Sequence, residues 1–220
     1  MAVENFTTWT ESDADSVLTV TSSQITATGI NGAFSTQDTV YKDFGASYWS
    51  GNFTFRYGPL QLSSPSSSNS RLTLLALANL LPDSTNVTAD SLVVRWENTT
   101  TNPTLYLCYF AAANTTGTAD SQDSYTGAVL TAGTSFYIEF ARSGSTVTCK
   151  LYSDAYTTLV ATLTITPATT RSYQYAIAAT KFQTGTGATV NATLQNLDLA
   201  AGVVITYDPI TACFPIGYYE

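Results

Sequence analysis

The sequence predicts an all-β domain, a sandwich or barrel of short antiparallel strands. Three observations carry this. Apolar and polar residues alternate in stretch after stretch: Phe53, Phe55 and Tyr57 against Thr54 and Arg56, then Leu92, Val94 and Trp96 against Val93, Arg95 and Glu97. A two-residue period marks a half-buried strand. Turn signals recur between these stretches, at Asn31-Gly32, Gly144-Ser145 and Gly185-Thr186-Gly187, as in many-stranded β domains. No stretch carries a convincing amphipathic helical period or a capping box ahead of an apolar stripe.

Taken in order, Asn5 to Trp9 reads as a first short strand, and Glu11 to Asp15 as an acidic turn. Two short strands follow, Val17 to Thr21 and Gln24 to Thr28. Val40 to Leu62 is the organising stretch: a strand, a wide aromatic turn closed by Gly45 and Gly51, and a second strand, together a hairpin-like unit. The second strand is expected to end at Gly58-Pro59, because proline removes a ladder donor. Ser63 to Ser70 is a Ser-rich surface loop. Leu72 to Leu81 is almost continuously apolar. Its length also fits a short buried helix, and the strand signals on both sides favour a central strand. Ser91 to Asn98 and Thr104 to Ala111 are further strands, followed by a polar loop from Asn114 to Ser124. Ser135 to Arg142, with Phe136, Ile138 and Phe140 inward, pairs through Gly144-Ser145 with Thr146 to Tyr152 as a tight hairpin. Leu159 to Ile165, Tyr173 to Phe182 and Thr189 to Leu199 complete the set.

Composition narrows the function. Charged residues make up 11% of the 220 residues and the net charge is −8. With no cluster among its basic residues, nucleic acid is excluded as a partner. No apolar run approaches a membrane span of about 20 residues, and the N-terminus shows no secretory signal. The chain has no histidine, which removes Ser-His-Asp and Cys-His catalysis and His-containing zinc sites. Cys108 and Cys149 each fall inside an apolar strand and read as free buried thiols, with a bridge open only if their strands are neighbours. Six N-x-S/T sequons occur in a chain rich in Asn and Thr, a number that chance explains.

The run VYKDFGASYWSGNFTFRYG at residues 40–58 resembles a recurrent segment of concanavalin A-like, laminin G-type jelly-roll modules in phage and environmental viral proteins. Leu92 to Trp96, Tyr137-Ile138-Glu139, Leu151 to Asp154 with Leu159 to Leu163, and Asn196 to Leu199 resemble further segments of that family in order. The resemblance covers roughly Thr8 to Leu199. It implies a two-sheet antiparallel jelly-roll sandwich over residues 1–199, with a concave face that holds carbohydrate, sometimes with calcium. It also implies a virion surface or extracellular setting, as a decoration, capsid-associated or tail-fibre subunit, and partners among other virion subunits. A stand-alone lectin-like adhesion module is the alternative.

Fold alone does not choose an activity. Glucanases of this fold resemble one another in an E-x-D-x-x-E strand, which is missing here, and Glu97 and Glu139 stand on different strands. The enzyme reading is therefore set below binding. Sugar sites combine aromatic faces with a few polar side chains. Tyr48 and Trp49 in the aromatic turn, and Arg95, Glu97, Tyr106 and Tyr175 on strands, are the glycan candidates. The plainer reading is that Trp49 caps the sandwich edge, Arg95 pairs with Glu97, and Trp96 is core. Asp13, Asp15 and Asp123 are candidate calcium ligands near turns, but no D-x-D-x-D-G loop is present, and a solvated acidic turn is the better description. Residues 200–220 are apolar and aromatic where a terminus is usually polar. Val203, Ile205, Tyr207, Phe214, Ile216, Tyr218 and Tyr219 are expected to pack on their own sandwich or to make an assembly contact in a homo-oligomer.

Overall fold

The computed structural model describes residues 3–31, 38–63, 70–79, 90–98, 103–110, 124–168, 171–181 and 189–201. These form two seven-stranded antiparallel sheets. The first runs, in spatial order, β1 (Thr10–Asp13), β4 (Asp38–Asp43), β13 (Tyr175–Lys181), β6 (Ser70–Ala78), β7 (Ser91–Asn98), β8 (Thr104–Phe110) and β9 (Ser124–Val129). The second runs β12 (Leu159–Ile165), β11 (Thr146–Tyr152), β10 (Ser135–Ser143), β5 (Phe53–Leu62), β14 (Thr189–Gln195), β3 (Gln24–Asn31) and β2 (Leu18–Val20). Their inward faces make one core, with Leu72, Val94, Trp96 and Leu107 from the first sheet meeting Phe55, Leu60, Ile138 and Phe140 from the second. Each such fully buried side chain contributes about 1.5–3 kcal/mol. The Tyr57 hydroxyl crosses the core and donates to the Ala178 carbonyl of the opposite sheet at 3.0 Å. Burial pushes its phenol well above the usual range.

The central-strand reading of the apolar run from Leu72 holds, although β6 ends at Ala78. The tight β10–β11 hairpin also holds, with Ser143 opposite Thr146. Cys108 and Cys149 are free and buried. They belong to different sheets, β8 and β11, and Cys149 faces the core while Cys108 packs in the outer cluster of its sheet, so the two thiols do not meet.

Four expectations are corrected. Phe6–Thr8 is a single 3-10 turn, not a strand. The Asn5 side-chain oxygen accepts from Thr7 N at 3.1 Å and from the Thr7 hydroxyl at 2.7 Å, and this local bonding outcompetes an extended ladder. Phe6 and Trp9 still turn inward.

The acidic segment begins as strand β1, with Glu11 opposite Val40 and Asp13 opposite Asp38. Only its end turns. There the Asp13 carboxylate accepts from Val17 N at 2.8 Å and Leu18 N at 3.1 Å.

The organising stretch is not a hairpin. β4 and β5 lie in different sheets, and the aromatic turn carries the chain from one to the other. Finally, β5 does not stop at Gly58-Pro59 but runs on to Leu62 through a cis Gly58–Pro59 bond. The missing proline donor falls where the β5–β10 register slips between Phe136 and Ile138, and a bulge leaves a residue unpaired in any case. A Cβ on Gly58 would run into the Tyr137 ring, so glycine allows that ring to lie across the strand.

Candidate functional site: two sheet faces and an aromatic edge

The register sets Arg95, Tyr106 and Tyr175 on one surface, the face of the first sheet that points away from the core. Thr73, Arg95, Tyr106 and Gly127 form one row across β6 to β9. Ile177, Ala76, Val93 and Cys108 form the next, and Tyr175, Ala78, Ser91 and Phe110 the one beyond. The middle of this face is an apolar cluster of Ala76, Ala78, Val93, Cys108, Phe110 and Ile177, with Tyr41 and Tyr106 packed against it. Tyr41 meets Tyr175 edge-on at 6.2 Å.

Arg95 pairs with Glu97 at 2.9 Å, with the two side chains only 2% and 5% exposed. The Arg95 guanidinium lies 5.6 Å from the Tyr106 ring centroid, within cation–π range. Gly127 opposite makes room for that ring, since a Cβ there would sit 2.7 Å from it. β7 is buried on both faces. Alternation in the sequence therefore marks which side chains share a face, not which face is wet.

The other two glycan candidates lie elsewhere, at the edge of the sandwich. Tyr48 is 56% exposed. Trp49 packs onto Phe55 at 4.9 Å and Phe44 at 5.1 Å, the edge-capping arrangement, while Tyr48 meets Trp49 at 4.7 Å. A cavity of about 290 Å³ opens beside Trp49, Asn52, Phe53 and Arg142.

Arg142 was not anticipated. It continues the inward parity of Phe136, Ile138 and Phe140, and that parity was the available signal. Its Nε donates to the Gly51 carbonyl at 2.8 Å, Nη1 to Arg171 O at 2.5 Å and Nη2 to Trp49 O at 2.9 Å, with a further very short contact from Nη2 to Gly51 O. Burial pulls this guanidinium below its usual range, against a rise from Tyr173.

A second unanticipated group lies on the outer face of the second sheet. Glu139 accepts from Arg56 at 2.8 Å and from Lys150 at 2.9 Å, and Arg56 stacks on Tyr156 at 4.8 Å. Tyr137 and Tyr152 meet Tyr156 edge-on. Cross-strand placement joins what the sequence holds apart: Glu139 stands opposite both Arg56 and Lys150.

Among the described residues no three His, Cys, Asp or Glu side chains gather as a metal site. Both oxygens of Asp13 accept from backbone N–H groups, and Asp15 N donates to Asp38 at 3.1 Å, so both residues take part in the turn. Asp123 and the tail positions Val203, Ile205, Tyr207, Phe214, Ile216, Tyr218 and Tyr219 fall outside the described residues. No helix among the described residues is long and apolar enough to cross a membrane.

Two facing seven-stranded antiparallel sheets of this order define a concanavalin A-like lectin fold. No family model and no curated protein sequence matches the chain. Solved structures do. The legume lectin-like domain from Entamoeba histolytica superposes with a TM-score of 0.57 at 9% identity, covering 86% of this chain and 88% of that one. The exoplasmic/lumenal domain of VIP36, solved with calcium and Man3GlcNAc, gives 0.56 at 8% identity, covering 89% and 86%. A functionally unknown protein from Saccharomyces cerevisiae gives 0.55 at 13% identity, covering 90% and 100%. At these identities the shared property is the fold.

Proposed function

We propose that this protein is a non-enzymatic glycan-binding module of the lectin type, working from the outer face of the first sheet. The observation that carries the reading is the set of half-buried rings on that face, Tyr41 and Tyr175 meeting edge-on and Tyr106 held over the buried Arg95–Glu97 pair. Partly exposed aromatic rings fixed in place are the chemistry of a sugar site: the rings stack on C–H faces, and the buried pair beneath Tyr106 orients that ring. The mannose-containing ligand of the VIP36 structure supports a neutral glycan as the ligand class.

Catalysis is a poorer fit. Glu97 is already neutralised by Arg95. Asp43, on β4, lies three strands from β7 in the sheet order, about 14 Å at roughly 4.8 Å per strand. Glycosidase carboxyl pairs stand about 5–9.5 Å apart. The test is a glycan array with the intact protein, followed by Tyr175→Ala. Retention on a neutral glycan that falls about fivefold in the variant, with unchanged melting, is expected. An array with no signal defeats the reading.

The setting, a virion surface protein in which residues 203–219 make a homo-oligomeric contact, rests on the sequence resemblance and on the low charge of the chain. Deletion of residues 203–220 is expected to leave a folded domain and to abolish assembly and particle attachment. An unchanged oligomer in size-exclusion chromatography, with unchanged attachment, removes that setting and leaves the stand-alone lectin module.

A further inference from the structure

The outer face of the second sheet carries a groove that the reading above does not use. It measures about 330 Å³ and is lined by Thr26, Thr28, Gln61, Ser63, Asn191 and Thr193, with no ionisable side chain in its lining. The sheet order brings these residues together from β3, β14 and β5. Thr26 stands opposite Thr193 and Thr193 opposite Gln61, so hydroxyl, hydroxyl and amide form one row across three strands. Neighbouring strands lie about 4.8 Å apart, so the row spans roughly 10 Å.

The two amides are fixed in opposite senses. Asn191 Oδ1 accepts from Gly29 N at 2.6 Å, so the Asn191 NH2 is the group left to donate outward. Gln61 Nε2 donates to the Gly133 carbonyl at 2.9 Å, which leaves the Gln61 Oε1 to accept. At the far end of the row from Gln61, the Thr26 hydroxyl already accepts from Gln24 Nε2 at 2.8 Å, so its own proton is available to donate. A donor, an acceptor and a hydroxyl are thus held in place before any ligand arrives, and the ordering cost of binding is reduced. Gln61 and Asn191 are exposed, so a ligand reaches them without displacing protein.

We propose that this groove is a second binding site, for a neutral, hydroxyl-rich saccharide chain recognised by hydrogen bonds rather than by stacking. Sugar hydroxyls donate and accept at once, which suits a fixed donor beside a fixed acceptor. A carboxylated sugar finds no cation in the lining. With a site on each sheet, one subunit bridges two glycan chains, and the avidity gain follows from geometry alone. The groove stands independently of the Arg95–Glu97 face.

The test uses the full chain, with maltotriose, mannotriose and trigalacturonate as probes, followed through the side-chain amide signals of Asn191 and Gln61 in nitrogen–proton correlation spectra. A neutral trimer is expected to shift both signals below about 10 mM. Trigalacturonate is expected not to. Thr193→Val, which keeps shape and removes the hydroxyl, is expected to weaken binding about fivefold as read at the Asn191 and Gln61 amides. The proposal is overturned if neither neutral trimer moves the two amides, if trigalacturonate binds equally, or if Thr193→Val binds like the parent protein. Loss of binding in Tyr175→Ala alone would assign the saccharide to the first-sheet face instead.

Discussion

Arg142 Nε lies 2.8 Å from the Gly51 carbonyl oxygen, and through this and its neighbouring bonds one side chain of β10 holds both the aromatic turn and the segment at Arg171. Arg142→Ala would leave the part-buried carbonyls of Gly51, Arg171 and Trp49 without their donor, each costing on the order of 1 kcal/mol. A stability loss of at least about 3 kcal/mol is expected in urea unfolding, with Trp49 more exposed to a fluorescence quencher. Arg142→Lys should recover little of it, because an ammonium does not reproduce the planar fork.

Gly58→Ala is expected to destabilise the protein by about 1–3 kcal/mol, the usual cost of overpacking. The clash is with the Tyr137 ring, so adding Tyr137→Ala should return part of the loss. A thermal-melt double-mutant cycle reads the coupling. Additive losses would show that the ring is not the obstacle.

Around Glu139, burial pushes the carboxyl up, but hydrogen bonds from Lys150 and Arg56 outweigh it and the net shift is downward. Lys150 is raised, chiefly by its bond to Glu139. A depressed acid contributes stability above its unfolded value of about 4.3 and loses it as pH falls through its lower folded value. A raised amine contributes below its unfolded value of about 10.4 and loses that as pH rises through its folded one. Glu139→Gln should therefore lower the urea midpoint at pH 7, and the gap to the parent should close as the pH falls below about 4. A gap that stays constant across that range would remove the network from the acid limb.

Burial pushes the Cys149 thiol up to about 12. Almost no thiolate is present at pH 8, and the thiolate is the reactive form. Iodoacetamide at pH 8 is expected to leave the peptide carrying Cys149 unlabelled in the native protein and to label it fully in denaturant, as read by mass spectrometry.

Asn5→Ala removes the cap of the Phe6–Thr8 turn and is expected to cost about 1 kcal/mol. Asn5→Asp, which keeps the acceptor, should not.

The sequence made side-chain parity legible wherever one face of a strand meets the core. Phe53, Phe55 and Tyr57 are all inward, as alternation requires, and Trp96 is core. Partnership across strands was hidden. Nothing local says that Glu139 stands opposite Arg56, 83 positions away, so the charged group on the second sheet went unseen. β9 was also missed, because Ser124–Val129 carries little apolar signal and sits at a sheet edge. At Asn5 a side chain short enough to bond its own backbone reversed a strand expectation. Arg142 is the instructive miss: its parity pointed inward, but a cation there is expected only when enough carbonyls wait for it.

β4 and β5 are consecutive in the chain yet pair with nothing of each other. β5 finds β10 and β14, and β4 finds β1 and β13. A polypeptide wired this way must close wide loops before either sheet gains its central rungs. Its renaturation belongs among the slow cases, on the order of milliseconds to seconds, and a nascent chain leaving the ribosome cannot complete the second sheet until β14 has emerged.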